Sequence, residues 1–256
     1  MYTKEQIRQY LARIGVEGEQ PLNADTLSKI VAAHYRAIPY ENLDILAGVP
    51  LNLSADALFD KLIIRRRGGF CFELNEALGT LLASLGFSVT HLAARFILGE
   101  PTDVLPMRRH HILLVHLEDG DWLCDVGIMR EAPRMALRLE PGFVQSDGIG
   151  QYKFVTDPFY GYILMQKLPG QDVVPFFGFT MEPQISADFV MPCFYCEKHP
   201  DSPFICSRMV GIYTPAGSWN LSGNELRRLE GAKIVERTAL SEEEVSKALK
   251  DIFGMT

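Results

Sequence analysis

The sequence predicts a multidomain α+β protein. Helices come first, an antiparallel sheet or small barrel follows, and strands closed by a helix end the chain. Three observations predict this. Apolar residues recur at spacings of three and four over the first third. From about residue 87, β-branched and apolar runs alternate with turn residues. After about residue 190, a Pro-rich stretch leads into further strand patterns and a capped amphipathic helix. At 256 residues the chain is long for one core, so two or three domains sharing a cleft are expected.

The first helix is KEQIRQYLARIG, with Ile7, Tyr10, Leu11 and Ile14 on one face. ADTLSKIVAAHYRAI repeats the pattern with Leu27, Ile30, Val31 and Tyr35. Ser54 caps a third helix through DALFDKLI. A fourth starts near Cys71 and runs to Gly86, a suitable C-cap. SVTHLAARFIL, HHILLVHL, DWLCDVGI, KFVTD, YGYILMQKL and VVPFFGF then read as strands. Glu118–Asp119–Gly120–Asp121 is a hairpin signal, with Asp119–Gly120 suited to a tight turn. MPCFYCEKHPDSPF reads as a Pro-rich connection. FICSRMVGIY and the region of SWNLSG read as strands joined through Thr214–Gly217. In the closing helix SEEEVSKALKDIFG, Ser241 and Glu244 have capping-box spacing.

The net charge is -7, and Arg65–Arg66–Arg67 is the one basic cluster, which argues against a nucleic-acid partner. The amino-terminal MYTKEQIRQYL lacks the apolar stretch of a signal peptide, and no apolar run has membrane-span length. A cytoplasmic protein without a membrane partner is expected. Five cysteines, an odd number in a large chain, argue against a disulfide scaffold and leave thiols, metal ligands or a nucleophile.

The nucleophile candidate lies in RRRGGFCFELN, Arg65 to Asn75. Gly68 and Gly69 allow positive φ or close approach to a ligand. Cys71 heads the fourth helix, where unpaired N–H groups and the helix dipole favour a thiolate. The same N–H groups suit an oxyanion. The alternative is a small buried cysteine at the start of a core helix.

A catalytic thiol needs a base or an ion-pair partner. His110, His111 and His116 lie in one strand, ahead of Asp125 in the next. With Asp119–Gly120 as a two-residue turn, Asp125 falls opposite Leu114. His110, Leu114 and His116 then share a face with Asp125, and His111 points away. Parity favours His110 or His116 without choosing between them. In that register His110 lies roughly 13 Å along the strand from Asp125. Joining them requires a bulge, strong curl or another register.

RGGFCFELN resembles the active-site motif of the arylamine N-acetyltransferases. PYENLDI at Pro39–Ile45 is similar to that family's Pro-Phe-Glu-Asn-Leu motif. HHILLVHLEDGDWLCDVG resembles the segment with the family's histidine and aspartate, and HPDSPF at His199–Phe204 a weaker family feature. The resemblance implies an N-terminal helical bundle over 1–86 carrying a nucleophilic Cys71. It implies a β-barrel over 87–190 carrying the histidine and aspartate, and a linker with an α/β lid over 191–256. The implied arrangement is a cysteine-protease-like Cys-His-Asp triad. An ungapped match places its histidine at His110, with His111 the neighbouring alternative, and its aspartate at Asp125. Arg67 and Glu41 are implied to be structural, as an ion pair behind the cysteine. The implied activity is acetyl transfer from acetyl-CoA, through a Cys71 thioester, to arylamines, arylhydroxylamines or hydrazines, as in xenobiotic metabolism. The implied partners are those two small-molecule classes, with the chain a monomer or weak homo-oligomer.

After the aspartate the family reads Val-Gly-Phe-Gly, where this chain has Val126–Gly127–Ile128–Met129. Gly127 and Met129 are expected at the coenzyme A cleft, with Met narrowing the backbone's freedom. Ile128, Tyr40, Phe70, Phe96 and Phe204 are expected around the acceptor. The three arginines suit either coenzyme phosphates or a solvated edge with one buried ion pair. Cys193, Cys196, His199 and Cys206 have irregular spacing for a zinc site, and the cysteines read as linker thiols, so no metal is expected. Two rivals remain: a Cys-His-Asp hydrolase using water, and a non-catalytic protein stabilised by metal on those four residues.

Overall fold

The computed structural model describes residues 1–100 and 105–255, and its first third is helical. Helix α1 (Lys4–Ile14) opens on a Thr3–Gln6 capping box and ends at Gly15 with φ 70°. Helix α2 (Ala24–Ala37) is capped by Asn23 and buries Leu27, Ile30 and Val31. A two-residue strand, β1 (Tyr40–Glu41), and the short α3 (Leu43–Leu46) follow. Ser54 caps α4 (Ala55–Phe59), which runs into a π-helical turn at Asp60–Ile64. Helix α5 (Cys71–Leu85) ends at Gly86, φ 103°.

The paired glycines act differently from the expectation. Neither has positive φ; Arg66 does, at 51°. Both are held tightly between β1 and α5. A Cβ on Gly68 would stand 2.2 Å from the Pro39 carbonyl oxygen, and one on Gly69 2.9 Å from the Glu73 Cβ. The Glu41 N–H donates to the Gly69 carbonyl at 2.8 Å. Close backbone packing demands glycine here, and it anchors the turn into α5.

Eight antiparallel strands form the middle of the molecule. They are β2 (Ser88–Phe96), β3 (Arg108–Leu117), β4 (Gly120–Cys124), β5 (Leu137–Arg138), β6 (Gln145–Ser146), β7 (Gln151–Asp157), β8 (Gly161–Lys167) and β9 (Val174–Phe179). Their order is β5-β4-β3-β2-β9-β8-β7-β6. The Gln145 side chain bridges the two edge strands. It accepts from the Arg138 N–H at 2.7 Å and donates to the Arg138 carbonyl at 2.9 Å, making a nearly closed barrel.

The β3–β4 turn lies one residue earlier than expected, on Glu118–Asp119, with Leu117 opposite Gly120 and His116 opposite Asp121. Gly120 takes φ 128°. The His116 ring reinforces this register through Asp121, at 2.7 Å. Asp125, just past β4, therefore continues toward Ile112 rather than Leu114. Parity is unchanged, and the separation from His110 shrinks by two residues.

The expected connection after residue 190 contains a helix, α6 (Val190–Lys198). Pro192 sits in its first turn, where a missing N–H breaks no helical bond. Strands β10 (Met209–Tyr213), β11 (Gly217–Ser222), β12 (Glu225–Glu230) and β13 (Lys233–Ala239) follow, then α7 (Glu242–Asp251), opened by the Ser241–Glu244 box. Strand β1 joins their edge, giving the order β1-β10-β11-β12-β13. Alternation along β10 divides its work. Val210 and Ile212 pack in a small core with Val245, Phe253 and Met255. Tyr213 belongs to the main core, which runs from α1 through the barrel. Each such buried side chain contributes about 1.5–3 kcal/mol. Among the described residues, no helix is long and apolar enough to cross a membrane.

Candidate active site

Cys71 is the first residue of α5 and is 3% exposed. Its Sγ lies 3.9 Å from the carbonyl oxygen of Arg109, the residue before His110. Burial pushes the thiol well above its ordinary value, and the nearby Cys196, Cys193 and Asp125 add to this; a hydrogen bond from the His111 backbone opposes it. Burial thus works against the helix start, which by itself favours the thiolate. A thiolate here has to form together with a positive partner.

His110 and Asp125 supply a buried pair, with Nε2 2.6 Å from Oδ2. His110 is 4% exposed and Asp125 5%. Among the described residues Nδ1 of His110 has no hydrogen-bond partner. A ladder bulge at Ala94/Arg95 lies beside it. The other carboxylate oxygen of Asp125 accepts from Asn75 Nδ2 and from the Gly127 N–H, both at 2.8 Å. Asn75 also donates to the His111 carbonyl at 2.6 Å and accepts from the Val126 N–H at 2.9 Å. One turn along α5 from Cys71, Asn75 thus ties the helix to β3 and to the segment just past β4 that carries Asp125. Its role was not foreseen, although it closes the RGGFCFELN stretch; its spacing of four from Cys71 was the available signal.

His111 and His116 are elsewhere. His111 stacks on Phe189 at 4.1 Å and meets His91 Nδ1 through Nε2 at 2.9 Å. Burial pushes it well below the ordinary histidine value. His116 is bound by Thr90 and Asp121 at the far end of β3.

Cys71 and His110 open on a cleft of about 380 Å³, which Tyr40, Phe96, Phe204, Gly127, Ile128 and Met129 also line. The ring of Phe96 meets His110 edge-on at 5.7 Å. Phe70 does not reach the cleft; it is fully buried behind Cys71, against Phe72 and Phe204. Gly127 is required by crowding, since a Cβ there would lie 2.6 Å from the Cys71 Cα. Met129 has no positive φ, which falls on Glu131 at 63°. Its side chain rests on β10, where a Cβ at Gly211 would meet Met129 Cγ at 2.6 Å. Arg109, paired with Glu100 at 3.4 Å, and Arg130, both missed by sequence reasoning, line the cleft wall together with Glu131.

The arginine run follows its structural alternative. Arg65 pairs with Asp60 at the surface. Arg67 binds Glu41 at 2.8 Å and Asp44 at 3.0 Å, and buried Lys61 joins Asp44 to Glu73, each at 2.7 Å. Glu73 in turn accepts from the Phe70 N–H, so that donor is not free for an oxyanion. Three carboxylates face two cations here. Burial accordingly lifts Glu73 from 4.5 to about 7, against the pull of Lys61. Cys193 and Cys196 are buried on α6, whereas Cys206 is exposed. Among the described residues the one group of three mutually close metal-ligating side chains is Glu76, His91 and His111.

Residues 23–256 match the N-acetyltransferase family model. An arylamine N-acetyltransferase of Mycolicibacterium smegmatis is 39% identical over 85% of this chain and 80% of its own length. The solved arylamine N-acetyltransferase of Salmonella typhimurium superposes with a TM-score of 0.93, at 29% identity, over 99% of this chain and 92% of that one. The Mycobacterium marinum enzyme, solved in complex with CoA, gives 0.90 at 34% identity, covering 97% and 92%.

Proposed function

The chain belongs to the arylamine N-acetyltransferase family, and on that premise we propose that it transfers acetyl from acetyl-CoA to small arylamines, arylhydroxylamines or hydrazines by double displacement on Cys71. The observation that carries this reading is that His110, paired with buried Asp125, opens with Cys71 on one cleft. The Cys71 thiol passes its proton to His110 Nδ1, and the sulfur attacks the acetyl carbonyl. The bond from that carbon to the CoA sulfur breaks, and CoA leaves with the proton from His110. The amine then attacks the Cys71 thioester, His110 takes its proton, and the thiol is restored. Asp125 stabilises the imidazolium and fixes its orientation, and Asn75 and the Gly127 N–H fix Asp125. Exchange of one thioester for another is nearly isoenergetic, so the acyl-enzyme stays reactive. Apolar Ile128, Tyr40, Phe96 and Phe204 suit a flat aromatic acceptor, and Met129, Arg109 and Arg130 suit the coenzyme side.

Steady-state rates with acetyl-CoA and an aniline derivative test this. Parallel double-reciprocal lines and an N-acetylated product are expected, with only slow CoA release when amine is omitted. Rapid CoA release without amine would instead make the chain a hydrolase.

A further inference from the structure

We propose that Glu76, His91 and His111 form a binding site for a divalent transition metal, zinc above all, on the face of β3 turned away from His110. Their ligand atoms all lie within 4.8 Å of one another. Three elements supply them: α5, β2 and β3. Two imidazoles and one carboxylate are a donor set that zinc accepts, with a fourth position left for water.

Two independent features point to a cation. Glu76 is 8% exposed, and its Oε2 is buried without a hydrogen bond. That oxygen lies 3.5 Å from His91 Nδ1, while its Oε1 accepts from Ser186 at 2.9 Å. A buried carboxylate oxygen left open is costly, and a cation satisfies it. The second feature is the approach of two nitrogens. His91 Nδ1 and His111 Nε2 are 2.9 Å apart. Bound to one tetrahedral zinc at the usual bond length, they would stand about 3.3 Å apart. The rings need to part by only a few tenths of an ångström. His111 is clamped by Phe189, so His91 is the ring that moves. Its side chain is 24% exposed, and Gly79 on α5 leaves it room; a Cβ there would press its Cε1 at 2.7 Å. Binding requires the proton between the two nitrogens to move to the far nitrogen of the ring that carries it.

The site also reaches solvent. Glu76 borders a groove of about 730 Å³ together with Thr80, Ser186 and Cys193. Among the described residues, no acceptor backs Nδ1 of His111. Such outer hydrogen bonds are typically worth about 10–100-fold in affinity, so binding is expected to be weaker by about that factor than at a site whose ligands are backed in this way.

Titration of the full chain with Co2+, followed by its visible spectrum, and with Zn2+ in competition with a chromogenic chelator tests the proposal. One equivalent is expected, without a thiolate-to-cobalt charge-transfer band. His91→Gln and Glu76→Gln should each weaken binding by about tenfold or more. Gly79→Ala should weaken it by crowding the moving ring. Cys193→Ser and Cys71→Ala should leave it within about twofold, since neither is a ligand. A thiolate band, unchanged affinity in a folded His91→Gln protein, or no binding at millimolar metal would each overturn it.

Discussion

Cys71 can be ionised in its dry setting only beside a positive charge, which makes the identity of its partner the decisive residue-level question. His110→Ala should slow acylation by about 10²–10⁴-fold and raise the thiol's pKa further. His111→Ala, on the opposite face of β3, should be much milder. Rates of iodoacetamide alkylation against pH, for both variants, check the ranking; the reverse order would transfer the role to His111. Asn75→Ala should strand the buried Val126 N–H and loosen Asp125, costing about 1–3 kcal/mol of stability in denaturant titration. Unchanged stability would mean that another donor takes its place. Cys71 and Asp125 were legible because motif and helix start coincide with a hairpin. Asn75 was not, because its partners lie 36 to 51 residues away along the chain.

Among the elements, the β3–β4 hairpin shows what a sequence can carry. Alternation fixed which histidines share a face, but turn placement depended on His116–Asp121 and on Gly120, and neither is visible as periodicity. Helix α6 was hidden because Pro192 and the aromatics looked like a connection, although Pro is harmless in a first turn. The loop after β4 is where the sequence departs from the motif that the family resemblance implies. Ile128 is 5% exposed, and its carbonyl accepts from the Tyr213 hydroxyl at 3.4 Å. Ile128→Phe should project a ring into the cleft and change deacylation selectively among acceptors, an aromatic contact being worth about 0.5–1.5 kcal/mol. Acylation by acetyl-CoA should stay nearly intact. Single-turnover measurements of the two half-reactions separate these effects, and a change confined to acylation would remove Ile128 from the acceptor side. Met129→Gly should open the cleft toward β10 and alter the concentration dependence on acetyl-CoA more than the choice of acceptor.

At the scale of the whole molecule, the helical part and the second sheet are tied together beside the cleft. Asn42 donates to the Phe204 and Ser207 carbonyls and accepts from the Met209 N–H, each at 2.8 Å, so the helical part holds the second sheet directly. The succession of helices, barrel strands and closing helix was readable from periodicity and caps. The contribution of β1 to the last sheet was not, because two residues show no pattern. The Arg67–Glu41 pair was foreseen through family resemblance, but its extension to Lys61 and Glu73 was not. Glu73 binds a proton more tightly folded than unfolded, so its contribution falls as pH rises from about 4.5 to about 7. Glu73→Gln should flatten that part of the stability–pH curve in urea titrations, and an equally steep curve would place the burden elsewhere. Intact-protein mass spectrometry after brief exposure to acetyl-CoA, with peptide mapping, decides whether Cys71 carries the acetyl group. One added acetyl group is expected, on Cys71, lost on adding an arylamine and absent from Cys71→Ala. An unmodified chain, or acetyl on Cys124 or on several thiols alike, would contradict it.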